Sequence, residues 1–464
     1  MTSVRIAILA ATLAVAPGAL AGDTQPVERI SALIDEAAPG DTVVVPPGVY
    51  EGHLRISKPV TLDGAGAAVI DGGGEGTVVE LLTPEIIFRG FTVRASGANV
   101  DGEPAAIRAE TGPVVIEGNT VEDALFGIDL RTSSGSVVRN NRVTGKDLEP
   151  GRRGYGIRLW WSHDCTIERN TVSGSRDMVF WYSENLSVRD NLVTDSRYGL
   201  HFMYSHETTL ERNTLRRNSV GVYLMYSNNI RLVGNTLENN RGASGYGIGL
   251  KDCDGIVVDG NRVLANRIGV YLDNSPSSFD GVGRIEGNLV AYNEIGALAT
   301  PITHGNTIVG NAFVENEEQV GVHGRGALAD NAFAEAGRGN FWSDYAGFDA
   351  DGDGVGDIAH APRSLFESLI AREPNLRLFV HSPAQQAIEF TARALPEFRP
   401  DPKFTDPAPL AAMPDLPEAP VVAQRRAPIA LTAFGLLGAA GALVGLGARQ
   451  SRLPRTPTTG AAAS

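Results

Sequence analysis

The sequence predicts an all-β fold, a right-handed parallel β-helix of about ten coils with roughly 22 residues in each. The 464-residue chain is rich in glycine, asparagine and valine, which suits short strands joined by tight turns. An asparagine also recurs after short β-type segments, at spacings of 20–29 residues. The recurring residues are Asn119, Asn141, Asn170, Asn191, Asn213, Asn235, Asn261, Asn288, Asn311 and Asn331.

The recurring asparagine itself is predicted to be structural. Asparagine tolerates the left-handed turn conformation, and stacked asparagine side chains can hydrogen-bond from one coil to the next. The segment before the repeats, residues 28–66, begins with a short amphipathic helix and continues as strands. We expect it to cap the first coil and to cover the open sheet edge that would otherwise pair with another chain.

Four consecutive coils align on a serine that ends each of four similar segments. The segments are GIRLWWS (156–162), DMVFWYS (177–183), GLHFMYS (199–205) and GVYLMYS (221–227). Side chains alternate along a strand, so Ile157, Met178, Leu200 and Val222 are predicted to share the face that forms the core. Met178 is therefore interpreted as a packing residue and not as a ligand.

The outward face of the same segments carries a candidate copper site. Met203 and Met225 fall in register on adjacent coils, about 4.8 Å apart, and His201 lies on the same side two residues before Met203. Thioether and imidazole groups are ligands that Cu(I) selects. His206 or His163, from the adjoining turns, could complete the site. The alternatives are a protein-contact patch, because interfaces favour Met, Trp and Tyr, or packing under a loop.

A second candidate metal site follows the repeats, in the segment GNFWSDYAGFDADGDGVGDIAH (339–360). Its oxygen ligands have the spacing of a calcium loop. They are the carboxylates of Asp349, Asp351, Asp353 and Asp357 and the main-chain carbonyl of Val355. His360 replaces the glutamate expected at position twelve of such a loop. An acidic turn without a metal is the alternative.

The segments at the two ends predict export and a membrane anchor. An apolar run with small residues before Gly22 has the pattern of a secretory signal peptide, and a run of 20 residues without charge near the C-terminus is long enough to span a bilayer. Arginines after that run favour a cytoplasmic tail. The predicted parts are the signal peptide (1–21), the β-helix with its N-terminal cap (22–340), an acidic loop and helical extension (341–398), a Pro-rich linker (399–428), a transmembrane helix (429–448) and a cytoplasmic tail (449–464).

Charge and cysteine content exclude two further possibilities. The net charge of −14 argues against a nucleic-acid partner, because neutralising phosphates requires a basic face. Cys165 and Cys253 are predicted to lie about four coils, or roughly 19 Å, apart, which is too far for a disulfide. We therefore expect two free, buried thiols in a protein of the periplasm.

The HFMYS repeats, the GNFWSDYAGFDADGDGVGD block and the following LRLFVHSPAQQAIEF segment together resemble the NosD family of periplasmic maturation proteins for nitrous oxide reductase. The resemblance covers roughly residues 22–400. It implies a pectin-lyase-like β-helix that works with an ABC-type permease and ATPase, a copper chaperone and the reductase apoenzyme. It also implies that residues 201–225 form a docking or copper-relay surface and that residues 362–398 grip the permease.

The rival interpretation is an enzyme on the same solenoid, a polysaccharide lyase, hydrolase or epimerase. Such chemistry needs paired acids, or an Arg/Lys and Asp cluster, on one outer face. Arg158 and Asp129 are the nearest candidates, and their spacing predicts no clear pair in register. The sequence therefore favours a non-enzymatic accessory protein without catalytic residues.

Overall fold

The computed structural model describes residues 24–416 and confirms the right-handed parallel β-helix. The solenoid has about 13 turns, more than the ten predicted. The difference arises because the predicted count began at Asn119, and the earlier coils turn the same corner without an asparagine. Those coils still bury alternate apolar residues such as Leu62, Ile70 and Phe88.

Three predicted segments lie outside the described residues. They are the signal peptide (1–21), the transmembrane helix (429–448) and the cytoplasmic tail (449–464). Within residues 24–416, no helix is both long enough and apolar enough to cross a bilayer.

Each coil contributes one strand to a sheet of 12 parallel strands, here called sheet 1. Consecutive strands pair in register, so side chains at equivalent positions form columns along the solenoid. The strands of sheet 1 are Leu54–Ile56, Val79–Leu81, Ala105–Ala109, Phe126–Arg131, Ile157–Trp160, Asp177–Trp181, Tyr198–Met203, Val220–Met225, Tyr246–Lys251, Ile268–Asp273, Ile295–Ala299 and Glu318–Val322.

After sheet 1, each coil passes through sheet 2 and then sheet 3. Two long strands, Thr61–Asp71 and Ile87–Arg94, run through both sheets and join them into 24 strands. The other strands of sheet 2 are Thr42–Val44, Val115–Glu117, Val137–Arg139, Thr166–Glu168, Ser187–Arg189, Thr209–Glu211, Arg231–Val233, Ile256–Asp259, Gly283–Glu286 and Asn306–Val309. Those of sheet 3 are Gln25–Pro26, Gly48–Glu51, Thr120–Ala124, Arg142–Gly145, Thr171–Ser173, Leu192–Thr194, Thr214–Arg216, Thr236–Glu238, Arg262–Leu264, Leu289–Ala291, Ala312–Val314 and Phe341–Trp342.

The inward-facing columns of the three sheets form one continuous apolar core. The predicted core column of sheet 1 is confirmed, since Ile157, Met178, Leu200 and Val222 are all fully buried. In the next inward column the rings of Phe180 and Phe202 stack with their centroids 4.4 Å apart. Burial of a Leu- or Phe-sized side chain stabilises a fold by about 1.5–3 kcal/mol, so this regular stacking is a major source of stability.

The predicted asparagine ladder lies at the corner between sheets 2 and 3. Each side-chain amide donates to the Oδ1 of the next asparagine, as from Asn213 to Asn235 at 3.0 Å, and also to a main-chain carbonyl. The predicted hydrogen-bond ladder is therefore confirmed, but the left-handed turn conformation lies on the residue before the asparagine, such as Arg212 with a φ of +51°, and not on the asparagine itself. The last asparagine of the ladder is Asn340 and not Asn331, which instead pairs with Asn306 at another corner.

Two further ladders occupy the other corners. Between sheets 3 and 1, asparagine side chains again bond from coil to coil. These are Asn218, Asn240, Asn266, Asn293 and Asn316. Between sheets 1 and 2, the main-chain N–H of each coil donates to a serine hydroxyl of the next, from Ser133 through Ser162, Ser183 and Ser205 to Ser227. Every corner thus satisfies buried polar groups that the turn would otherwise leave unpaired.

The N-terminal cap contains helix α1 (Glu28–Glu36), which places Ile30 and Ile34 against the first coil. The C-terminal extension contains helices α2 (Leu365–Ile370) and α3 (Pro383–Ala394). Ser382 caps α3 by accepting a hydrogen bond from the Gln385 N–H. Short 3₁₀ turns lie at Val100–Gly102, Pro150–Arg152, Pro374–Phe379 and Pro396–Phe398.

The structure differs from the linker predicted at 399–428 over residues 399–416, and residues 417–428 lie outside the described part of the chain. Phe404, Asp406 and Leu410 are buried, and the segment that contains them closes the C-terminal end of the solenoid. The Asp406 carboxylate accepts hydrogen bonds from the Asn340 N–H at 2.8 Å and the Trp342 indole at 2.9 Å. The high proline and aspartate content of this segment predicted an exposed chain. Composition alone does not show that one of these residues, Asp406, forms hydrogen bonds with the last asparagine of the ladder.

Both cysteines are buried and free, as predicted. Cys253 occupies a serine position of the corner between sheets 1 and 2, where its N–H donates to the Ser275 hydroxyl. Burial raises the pKa of the Cys165 thiol to about 11 and that of Cys253 to about 12. Neither cysteine is therefore a thiolate ligand at neutral pH.

Candidate functional site

The outward face of sheet 1 places the predicted ligands in register. Met203 pairs with Met225 on the next coil and with Trp181 on the preceding one. His201 pairs with Tyr223 and lies two residues from Met203 on the same side of the strand. The two methionines are half-buried, so their thioethers lie at the surface of the solenoid without full exposure to water. The sequence thus predicted correctly which residues share this face.

His201 is the most enclosed member of this group, with only 6% of its surface exposed. The rings of Tyr198, Trp181 and Tyr223 surround it at centroid distances of 5.0, 5.7 and 6.5 Å. Its Nδ1 lies 3.4 Å from the Asp177 carboxylate but without the alignment of a hydrogen bond. Both ring nitrogens are buried, and neither has a hydrogen-bond partner among the described residues. Buried polar atoms are normally hydrogen-bonded, so this pair is an exception.

Asp177 connects this histidine to a guanidinium. Its carboxylate is fully buried and pairs with Arg197, whose Nε lies 2.9 Å from Oδ1. Burial alone would raise the pKa of Asp177, but the hydrogen bonds and the positive charge of Arg197 outweigh it and hold the pKa below its ordinary value. The group beside His201 is therefore a carboxylate at neutral pH, which favours a cation at the imidazole.

His206 lies in the turn after the strand of Met203. Its Nδ1 accepts a hydrogen bond from the Asn228 N–H at 3.0 Å, which leaves Nε2 as the nitrogen that could bind a metal. His163 has the same role two coils earlier, because it accepts from the Glu184 N–H at 3.2 Å. Both turn histidines thus stabilise the stacking of adjacent turns, in addition to any role as ligands.

A surface row of stacked aromatic rings, alternately exposed and half-buried, borders the candidate copper site. Trp161, Tyr182, Tyr204 and Tyr226 stack with successive centroid distances of 5.0, 5.4 and 5.1 Å. All four have a φ of about +50°, a conformation that Asn and Asp adopt more readily. Asp252 and Asn274 occupy the next two positions of the same column. Sequence reasoning missed this row, although the residue before the serine is aromatic in all four aligned segments.

A buried ionic cluster lies on the same face, toward the N-terminus. Contrary to the sequence-based expectation, Arg158 and Asp129 are neighbours in register, with Nε 2.8 Å from Oδ1. Arg108 and Arg131 also bond to Asp129, at 3.0 and 2.9 Å, and Glu103 accepts from Arg158. The loop at 146–154 lengthens this coil to 29 residues, so a fixed spacing of 22 misaligned the pair.

The arginines of this cluster compensate the negative charge of Asp129. Burial would raise the pKa of Asp129, but Arg158, Arg131 and Arg108 outweigh it and hold the pKa below its ordinary value. Asp129 is fully buried, and Arg158 is 4% exposed. A carboxylate that accepts from three guanidinium groups and stays ionised is poorly suited to take up or release a proton in catalysis.

The acidic loop brings part of the predicted calcium site together. Carboxylate oxygens of Asp349, Asp351 and Asp353 lie within 4.8 Å of one another. The carboxylates also accept N–H groups of their own loop, as Asp349 does from Gly352 at 2.7 Å. Asp357 accepts from the Ala350 N–H at 2.8 Å, which closes the loop on itself.

The two remaining positions of the loop are also defined. Val355 forms an antiparallel bridge with Leu410, whose hydrogen bonds use the Gly354 carbonyl and the Gly356 N–H, so the Val355 carbonyl takes no part in it. His360 is buried, stacks on Trp342 at 5.2 Å and pairs through its main chain with Asp406. His360 therefore belongs to the C-terminal closure and does not replace the missing glutamate ligand.

Calcium is expected to stabilise the protein through this loop. At a free Ca²⁺ concentration of 100 times Kd, binding would add about 2.7 kcal/mol to the free energy of unfolding. Asp351→Asn keeps an oxygen acceptor but removes one negative charge, so it should lose most of this increment, whereas Asp280→Asn at an exposed position should retain it. Thermal unfolding with added Ca²⁺ and with a chelator measures the difference. An equal Tm in both solutions would contradict the site.

A family model and two curated relatives match the chain. The model described as "Periplasmic copper-binding protein (NosD)" matches residues 143–347. A protein of Pseudomonas aeruginosa called "Probable ABC transporter binding protein NosD" is 35% identical over 382 residues, which cover 79% of this chain and 87% of that protein. The protein of the same name from Stutzerimonas stutzeri is 30% identical over 389 residues, covering 80% and 86%.

Two of the solved structures similar to this chain are enzymes that act on polysaccharides. The A-module of the Azotobacter vinelandii mannuronan C-5 epimerase AlgE4 has a TM-score of 0.53 and 19% identity, covering 68% of this chain and 98% of the module. The catalytic unit of an α-1,3-glucanase from Streptomyces thermodiastaticus has a TM-score of 0.50 and 15% identity, covering 70% and 65%. Identities this low show a shared fold and carry nothing about activity.

Proposed function

The chain belongs to the NosD family, and from this premise we propose that it is a non-enzymatic accessory protein of the periplasm that receives copper as Cu(I). It would position the ion for insertion into the copper–sulfide centre of nitrous oxide reductase. The observation that carries this proposal is the convergence of Met203, Met225 and the unpartnered imidazole of His201 on one outward face of sheet 1.

The chemistry of these groups fits a transiently bound soft cation. Two thioethers and an imidazole are ligands that Cu(I) prefers, and a metal binds the imidazole in its neutral form. The Asp177 carboxylate adds a negative charge beside His201 without being a soft ligand itself. The surrounding aromatic rings limit access of water, which suits an ion that is to be passed on and not released.

The test of the site is the double variant Met203→Leu with Met225→Leu. Leucine keeps the volume of methionine but lacks the sulfur, so we expect Cu(I) binding to be abolished while the fold is retained. Met178→Leu is the matched control, because Met178 is fully buried in the core of an adjacent coil and should leave binding unchanged. Anaerobic titration against a chromophoric Cu(I) chelator measures affinity and stoichiometry. If the double variant bound Cu(I) with the same stoichiometry as the unaltered chain, this site would be contradicted.

Partner contacts are proposed at two surfaces. The aromatic row beside the copper site would contact the copper chaperone or the reductase apoenzyme, because exposed aromatic residues are typical of interfaces. The C-terminal extension would contact the permease of an ABC transporter with its ATPase, since it exposes a cluster of large apolar side chains. These are Leu378, Phe379, Phe390, Leu395 and Phe398. Recovery of this chain from solubilised membranes without any transporter subunit would contradict the second assignment.

A membrane anchor at 429–448 would keep the chain near its transporter and raise the effective concentration of both partners. The rival function, modification of a polysaccharide, shares only the fold. It is disfavoured by the charge-compensated ionic cluster around Asp129. Unsaturated or shortened products after incubation with uronate polymers would reverse this choice.

A further inference from the structure

A cleft of about 360 Å³ opens at the corner between sheets 3 and 1 and is lined in part by Arg197, the partner of Asp177. Its walls are the loop around Pro150 and the corner residues of three successive coils. Four arginines contribute to the lining: Arg153, Arg176, Arg197 and Arg217. This concentration of guanidinium groups is unexpected in a chain whose net charge is −14.

The charges in the cleft do not cancel. Arg197 is paired with Asp177, and Arg217 with Asp195 at 2.9 Å. Arg153 donates only to main-chain carbonyls, at 2.8 Å to that of Leu148. Within residues 24–416, neither Arg153 nor Arg176 has an acidic partner. Four guanidinium groups against two carboxylates leave an excess of two positive charges.

The cleft also has a fixed geometry. Ser175, Ser196 and Ser219 line it, and the first two are held together, because their hydroxyls lie 3.2 Å apart and that of Ser196 donates to the Thr194 carbonyl. Arg197 is held in place by its pair with Asp177 and by the ring of Tyr198, whose centroid lies 4.3 Å from the guanidinium carbon. Donors that are already held in place lose less conformational entropy when a ligand binds.

We propose that this cleft binds a small divalent oxyanion such as phosphate or sulfate. Guanidinium groups recognise the oxygens of such anions through paired N–H donors, and two uncompensated charges match a dianion. The Ser219 hydroxyl would donate to a remaining oxygen. The site is independent of the copper proposal, because none of its lining residues belongs to the methionine and histidine group.

The test is isothermal titration of the full chain with inorganic phosphate and, separately, with sulfate at low ionic strength. The double variant Arg153→Ala with Arg176→Ala removes the two arginines that have no acidic partner, so it leaves no carboxylate unpaired and should fold normally. We expect it to weaken binding by at least roughly tenfold, the equivalent of one lost charged hydrogen bond.

Arg231→Ala is the matched control, because Arg231 is an exposed arginine of sheet 2 without an acidic partner among the described residues. It should bind both anions as the unaltered chain does. The proposal would be overturned if the unaltered chain showed no saturable binding heat with either anion. It would also be overturned if the control and the double variant lost anion affinity to the same extent. Copper titration of the double variant should be unchanged, so failure here is distinguishable from failure of the copper site.

Discussion

Replacement of Asp129 by alanine is expected to lower the free energy of unfolding by about 3–5 kcal/mol, because it leaves buried guanidinium groups without a counter-charge. Asp129 accepts hydrogen bonds from Arg108, Arg131 and Arg158, and only Glu103, with a side chain 40% exposed, remains to balance them. The largest part of this cost comes from Arg158, because it is 4% exposed and donates hydrogen bonds to Asp129 through both Nε and a terminal nitrogen.

The matched control is Asp190→Asn, which removes the charge that pairs with Arg212 on the surface of the solenoid and keeps a side chain that tolerates the φ of +56° at this position. Exposed ion pairs contribute about 0–1 kcal/mol, so this variant should unfold almost as the unaltered chain does. Urea unfolding followed by circular dichroism provides both values. A loss at Asp129 no larger than that at Asp190 would show that the cluster relaxes into water at little cost.

The contribution of Asp129 has a defined dependence on pH. The pKa of its carboxyl is lower in the folded protein than in the unfolded chain, so folding is favoured by this group wherever the unfolded carboxyl is ionised, above about pH 4. The contribution is lost as the pH falls through the folded pKa. The stability difference between the unaltered chain and Asp129→Ala should therefore be constant near neutrality and shrink in acid.

Replacement of Asn213 by alanine is the second large effect, with an expected loss of about 3–5 kcal/mol from several buried groups left without partners. Asn213 receives hydrogen bonds from the main-chain N–H and the side-chain amide of Asn191, at 3.1 and 3.0 Å. It donates to the Val188 carbonyl at 2.9 Å and to the side chain of Asn235 at 3.0 Å. Alanine replaces none of these contacts.

Asn239→Ala is the corresponding control. Asn239 is exposed and has a φ of +55°, so alanine there loses the tolerance of asparagine for this conformation, at roughly 1–2 kcal/mol, but interrupts no ladder. Thermal and urea unfolding of both variants distinguish the loss of ladder hydrogen bonds from the conformational cost of alanine at a positive φ. Equal losses would mean that the coil-to-coil hydrogen bonds of Asn213 contribute little to stability, since Asn213 itself does not have a left-handed φ.

The register of the strands could be predicted from the sequence, and the corners only in part. The aligned segments ending in serine gave the correct columns, because the side-chain period of a strand and the length of one coil together fix which residues share a face. The second asparagine ladder was missed although its members follow the first by five residues, as Asn218 follows Asn213 and Asn240 follows Asn235. That spacing equals one strand of sheet 3 and its turn.

What sequence reasoning could not supply were contacts that depend on insertions and on the chain beyond the repeats. The pair of Arg158 and Asp129 spans a coil with an inserted loop, so its register depends on where the extra residues leave the solenoid. The oxyanion cleft combines that loop with three separate corners. The closure by Asp406 joins residues 66 apart in the chain, with no repeat to predict the distance.

The asparagine ladder has a direction. Every side-chain amide points its nitrogen toward the C-terminal end, so the dipoles of the row are parallel and their positive pole faces Asp406, the anion that terminates them. Asp406 follows Asn340 by 66 residues in the chain. A solenoid onto which this final segment has not yet packed therefore has an uncompensated positive pole at its C-terminal end, and the charge of the row is balanced only once Asp406 is in place.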